Sequence, residues 1–205
     1  MITVAVPFWD ANEQSLPFSR HYTTEDVEKL YRGFARNLTV PFRFVCFTEK
    51  PREFAEPIWQ ERLSAAEPGY SACIEPYRLD EPMILVGLDT VIVGNCDELA
   101  RYCLEGSQLA VPRDPFFPEK VCNGVALVPK GHGWVWSEFP GGNDMEWIRS
   151  LPVAVIDDLF PRQVVSFKGH TKHYGIEDET RIVFFHGEEK PHQLAHLDWV
   201  AESWR

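Results

Sequence analysis

The chain has 205 residues, 44% apolar and 25% charged, which supplies one full-sized hydrophobic core and excludes a disordered, collagen-like or small disulfide-held protein. Its 31 acidic and 20 basic side chains leave a formal net charge of -11, a sign that repels nucleic acid and anionic membrane surfaces. A phosphorylated small molecule is still admitted, because a few lysines or helix N-termini reverse the field locally.

Ile2 to Val6 reads as a short β-branched strand ending in Pro7-Phe8-Trp9, where a loop begins. Thr23 to Asp26 then offers a capping hydroxyl with an acidic residue three positions on. Val27, Leu30, Tyr31, Phe34 and Leu38 follow on one helical face, and Pro41 stops the helix. Glu25, Asp26, Glu28 and Lys29 read as the wet face of that helix. Phe42 to Phe47 is a second strand, which completes a βαβ unit with parallel pairing. Residues 50 to 80 are rich in Pro, Glu and Ala, and predict only a helix over Ser71 to Tyr77. Met83 to Val86 is a central apolar strand, followed by Gly87-Leu88-Asp89 and a second run from Thr90 to Val93.

Further strands are predicted over Gln108 to Pro112, Val125 to Val128, Val153 to Ile156, Gln163 to Phe167 and Ile182 to Phe185. Gly131, Gly133, Gly141 and Gly142 loosen the backbone around Trp134-Val135-Trp136. Asn143 is placed to cap a helix through Arg149, with Met145, Trp147 and Ile148 as apolar anchors. Pro191 opens a closing helix carrying Leu194, Leu197, Val200 and Trp204 on one face. The whole, residues 1–205, reads as one α/β domain whose ligand crevice lies at the carboxyl ends of the parallel strands.

Cys46, Cys73, Cys96, Cys103 and Cys122 show no metal-ligand spacing and are odd in number, the pattern of thiols kept reduced. The apolar amino terminus lacks a basic leader and no run is long enough to span a bilayer, so a cytoplasmic protein without integral membrane contact is expected.

Four places carry candidate chemistry. Asp89 follows a nearly pure apolar strand, so its carboxylate either ligates a divalent metal or caps the turn before Thr90. In Phe185-His186-Gly187-Glu188-Glu189-Lys190-Pro191, Gly187 lets backbone approach an anion and Lys190 adds a point charge; a simple turn is the competing reading. Asp144 serves either as a base toward a hydroxyl or as a favourable charge at a helix start. Lys168, with His170, Lys172 and His173, is the one basic patch of an acidic chain, a phosphate attractor or a solvated loop.

In order and spacing these segments resemble the GT-A-fold nucleotide-sugar glycosyltransferases, particularly short bacterial and phage-type relatives of the glycogenin and lipopolysaccharide-glycosyltransferase group. The resemblance rests on Pro41 to Glu49, Leu85 to Gly94, Cys122-Asn123-Gly124-Val125, Gly142 to Ile148, Ser166-Phe167-Lys168 and Phe185 to His192, and runs over nearly the whole chain. It implies a mostly parallel mixed sheet flanked by helices, with residues 1–100 as the nucleotide-binding half and 101–205 as the acceptor-side half.

The implied activity is transfer of a hexose from a nucleoside-diphosphate sugar to an acceptor hydroxyl. The alternative is a catalytically degenerate nucleotide- or sugar-binding protein of the same fold. The resemblance assigns Asp144 as the catalytic residue and Phe8, Asp89, Lys168, His186, Gly187 and Lys190 to the donor. It also assigns manganese or magnesium to Asp89 and His186. Gly87 replaces the first aspartate of the family's Asp-x-Asp motif, and Phe184 replaces its metal-binding histidine.

Overall fold

The computed structural model describes residues 1–15 and 22–205. The elements in chain order are β1 (Ile2–Pro7), α1 (Thr24–Asn37), β2 (Phe42–Thr48), β3 (Ile58–Arg62), a 3-10 helix (Tyr70–Leu79), β4 (Met83–Val86), β5 (Thr90–Ile92) and α2 (Asp97–Glu105). They continue with β6 (Ala110–Val111), β7 (Val125–Val128), α3 (Trp134–Ser137), α4 (Asp144–Ser150), β8 (Ala154–Val155), α5 (Ile156–Leu159) and β9 (Val164–Ser166). A π-helical turn (Phe167–Thr171), α6 (Lys172–Tyr174), β10 (Ile182–Phe184), a 3-10 turn (Pro191–Gln193) and α7 (Asp198–Ser203) close the chain.

Seven strands form the main sheet in the order β3-β2-β1-β4-β7-β6-β8. β3, β2, β1 and β4 run parallel, β7 is antiparallel to both of its neighbours, and β8 is parallel to β6. Alternation along the strands divides the core between two faces. Ile2, Val4 and Val6 of β1, with Ile84 and Val86 of β4, pack on the side of α1 and α2. Ala5, Met83 and Leu85 pack on the other side against Ile74 and Tyr77 of the 3-10 helix and Ile148 of α4. The order reverses between β1 and β4, and such a switch point opens a crevice at the carboxyl ends of the strands.

A second sheet, β5-β10-β9, determines where the site residues meet. β5 pairs antiparallel with β10, in the register Thr90 to Phe184, and the Phe185 N–H donates to the Asp89 carbonyl at 2.8 Å. The turn after β4 is thereby laid beside the loop after β10.

Several elements differ from the sequence reading. β3 lies in the Pro-rich stretch, where its half-exposed edge position leaves no apolar run to read. The helix expected over Ser71 to Tyr77 is a 3-10 helix of 10 residues that holds Pro76. α2 follows a strand pair with no side-chain cap at Cys96. The closing helix is split, because Pro191 starts only a single 3-10 turn and α7 begins at Asp198.

Trp134 to Ser137 forms one helical turn between glycines of positive φ, and Trp147 packs with its indole N–H donating to the Val135 carbonyl at 2.8 Å. The acidic face of α1 is wet only in part: Glu25 is exposed and Lys29 half-buried, whereas Asp26 and Glu28 are buried. Asp26 accepts the Thr23 backbone N–H at 2.7 Å, and Glu28, also buried, accepts the Ala55 N–H at 2.5 Å. All five cysteines are free thiols, four of them buried. Among the described residues, no helix is long and apolar enough to cross a membrane.

Candidate active site

A cavity of about 500 Å³ opens at the carboxyl ends of β1 and β4, a size suited to a small-molecule ligand. Its wall includes Phe8, Asp89, Asp144, His186, Gly187 and Lys190, so one space gathers residues separated by up to most of the chain. Lys168 does not line the cavity. Its ammonium instead lies over the Gly187 turn, 3.4 Å from the place a Cβ on that glycine would take.

At one end, the Lys190 ammonium donates to Asp89 Oδ2 at 2.5 Å. The lysine side chain is only 5% exposed and the carboxylate 22%, so the pair sits mostly out of water. The loop that carries Lys190 is held at several points. Gly187 and Glu189 both adopt left-handed backbone, φ 65°, a conformation that costs a glycine nothing. Glu189 is tied to Lys172 at 2.7 Å, and the Lys190 N–H donates to the Gln193 side chain at 2.8 Å. The basic patch of the sequence is accordingly divided. Lys172 and His170 are engaged by Glu189 and Glu177, while Lys168 turns toward Gly187.

His186 stands beside this pair, packed edge-on against Phe116 at 5.0 Å between ring centroids and tilted against Phe184 at 5.9 Å. Its Nε2 is buried without a hydrogen-bond partner among the described residues. Burial, aided by the nearby Lys168 and Lys190 charges and opposed by Asp89 and Asp114, holds the imidazole below its ordinary pKa, which favours the neutral ring.

Asp144, also on the cavity wall, is the first residue of α4, whose Asn143 cap accepts the Glu146 N–H at 2.9 Å. Its carboxylate accepts from the Asn123 side-chain amide at 2.6 Å. No salt bridge reaches it among the described residues, and burial pushes its pKa above the ordinary carboxylate value despite those donors. Tyr77 and Cys73 line the same region, and burial raises both of their pKa values as well.

Phe8 lies at the end of β1 as expected, but its ring is buried, with the Arg52 guanidinium 4.0 Å above its centroid. One face of that ring is therefore already stacked.

Sequence reasoning about individual residues missed Asn123, Asp114 and the exposed Phe116. The Asp114 carboxylate accepts the Phe116 and Phe117 N–H groups at 2.9 and 3.1 Å and pairs with Arg149 at 2.7 Å, which presents Phe116 at the cavity wall. An Asx-turn signal at Asp114 was readable; the partner of Asn123 was not, because it is 21 residues away.

A divalent cation of the kind the resemblance implies needs several oxygen donors converging on one point. Among the described residues, no group of three His, Cys, Asp or Glu side chains could hold one. Each of the three carboxylates on the wall is already engaged: Asp89 by Lys190, Asp114 by Arg149 and Asp144 by Asn123. Gly87, two positions before Asp89, has no side chain and adds no further carboxylate. The donor set does not fit the metal.

No protein-family model matches the chain, and no curated protein matches it in sequence. Its fold is nevertheless that of solved glycosyltransferases. The glycosyltransferase GlyE of Streptococcus pneumoniae TIGR4 aligns with a TM-score of 0.62 at 13% identity, over 98% of this chain and 63% of that one. The galactosyltransferase LgtC, solved with donor and acceptor sugar analogues, aligns with a TM-score of 0.60 at 9% identity, over 99% and 96%. The bifunctional glycosyltransferase WbbM aligns with a TM-score of 0.61 at 11% identity, over 98% of this chain and 50% of its own. The chain thus spans less than two thirds of GlyE and half of WbbM. At these identities the likeness is one of fold, a GT-A-like mixed sheet flanked by helices.

Proposed function

We propose that the chain is a glycosyltransferase that moves a hexose from a nucleoside-diphosphate sugar to an acceptor hydroxyl. The observation that carries this reading is that one cavity wall holds both an ion-paired lysine, Lys190, beside the Gly187 turn and a buried carboxylate, Asp144, that no salt bridge reaches among the described residues. Residues 1–100 form the nucleotide side and 101–205 the acceptor side, with Phe8 near the base.

In the transfer, the bond from the anomeric carbon to the diphosphate oxygen breaks and a bond from that carbon to the acceptor oxygen forms. Negative charge grows on the diphosphate, where Lys190, Lys168 and the Gly187 backbone stabilise it more in the transition state than in the ground state. The acceptor hydroxyl gives up its proton to the Asp144 carboxylate, whose raised pKa suits a general base. Asn123 is a positioning residue that fixes that carboxylate. Five free thiols suit a cytoplasmic site of action.

A panel of UDP-, GDP- and ADP-sugars with mixed sugar acceptors, run both in EDTA and with manganese, tests the reading. Release of a nucleoside diphosphate is expected from at least one donor, and Asp144→Asn should lower its rate roughly a hundredfold while nucleotide binding persists. If nucleotide binds tightly and no donor turns over, the chain is instead a binding protein of this fold. The reading that Asp89 is already satisfied by Lys190 favours that second outcome to this extent: the site holds its charge balance without any ligand. Neither binding nor release from any donor would refute both.

A further inference from the structure

We infer that the cavity takes its diphosphate without a divalent cation, the Lys190 ammonium serving as the built-in cation and Asp89 as the counter-ion that holds it in place. This inference rests on the transferase reading for the identity of the ligand, and on four observations for the absence of a metal.

The first is the pair itself. Lys190 Nζ lies 2.5 Å from Asp89 Oδ2, with the lysine side chain 5% exposed. An ammonium bound to a carboxylate and enclosed by protein cannot swing away to make room for another cation. Two cations on one carboxylate repel each other, so a metal would have to displace a buried charge.

The second is the residue at position 87. It is glycine, so this turn supplies one carboxylate, Asp89, and no second acidic ligand two positions before it.

The third is that the other carboxylates of the wall face away from the pair in function, Asp114 held by Arg149 and Asp144 by Asn123. The fourth is His186. The side chain nearest in chemistry to a metal ligand sits between Phe116 and Phe184, and the carboxylates that act on it, Asp89 and Asp114, are bound to Lys190 and Arg149. Around the Gly187 turn the fold sets two lysines against the one carboxylate of Asp89: Lys190, paired and on the cavity wall, and Lys168, over the turn and off that wall. The turn itself, with φ 65°, lets an anion come close.

Calorimetry on the full chain separates the alternatives, with UDP, GDP, ADP and CDP as probes in EDTA or in manganese. The expected result is binding of at least one probe in EDTA, with a Kd within about threefold of that in manganese. Lys190→Met should weaken it roughly tenfold or more and Lys190→Arg much less, as loss and retention of a charged donor require.

Asp89→Asn is the decisive variant, and guards against a misfolded Lys190→Met. A metal ligand at Asp89 predicts that this change abolishes nucleotide binding. A counter-ion predicts that binding in EDTA persists or tightens, because the ammonium is no longer neutralised.

Manganese alone, followed by the paramagnetic resonance of the free ion, should show no uptake by the protein. Binding seen only with manganese, or lost in Asp89→Asn that remains folded, overturns the metal-free site and leaves the transferase reading standing. Binding of none of the four diphosphates in either buffer overturns both.

Discussion

Asp89 and Asp144 line the same cavity and are handled in opposite ways. Asp89 lies in the turn after an apolar strand and is met by a buried ammonium, so its charge is balanced by a partner of equal strength. Asp144 begins a short helix and receives only an amide donor and backbone N–H groups, too little to offset its burial. The first arrangement immobilises a charge, and the second leaves a carboxylate whose protonation responds to its surroundings. The transfer proposed above, in which one group holds an anion and another takes a proton, would call for that asymmetry.

The largest effect is expected at the balanced end. Lys190→Met strands a partly buried carboxylate and should destabilise the chain by about 2–3 kcal/mol in urea unfolding. Removing both partners, in Lys190→Met with Asp89→Leu, should cost less than the lysine alone; additive losses would show that the pair is not coupled. Next comes Gly187→Ala on the same loop. At φ 65° an alanine is strained by about 1–2 kcal/mol, so thermal unfolding should fall by several degrees. An unchanged melting temperature would mean that the loop is not held in this turn.

The unbalanced end should respond with the opposite sign. Asp144→Asn is expected to raise stability near neutral pH by up to about 1 kcal/mol, because it removes a carboxylate that burial disfavours. The native carboxyl binds its proton more tightly than the unfolded one. Native stability therefore falls as pH rises from the unfolded pKa through the raised native one, and then levels off. Melting curves from pH 3 to 8 should show it as a difference between the two chains, the variant gaining on the natural chain as pH rises, on top of the opposite slope that both share from carboxylates held low, such as Asp10 and Glu49. A parallel pH profile in both would remove Asp144 as its source.

The smallest change in stability is expected at the rim. Phe116 is 57% exposed, and Phe116→Ala should alter unfolding by less than about 0.5 kcal/mol. The same change opens one side of His186, so its imidazole resonance should titrate closer to the ordinary pKa. A titration identical to that of the natural chain would show that Phe116 does not shield the ring.

The sequence by itself determined the strands that run through the core and the polar residues at their ends. Met83 to Val86 and Val125 to Val128 are apolar at every position because both faces of the sheet are covered, and an uninterrupted apolar run is readable without a partner. It likewise marked Asp89, Asp144 and the Gly187-to-Lys190 turn, since a carboxylate after such a strand, or a glycine before a lysine and a proline, is a local signal.

Only the tertiary structure decided what those groups bind. Asp89 and Lys190 are 101 positions apart, brought together by the antiparallel β5–β10 register, and a pairing between strands leaves no trace in either segment alone. The same holds for β3, an edge strand stabilised by its neighbour, and for Asn123 against Asp144. Short-range physics chooses the backbone and the burial of each segment, while the charge state of a buried group depends on whichever residues the fold delivers beside it.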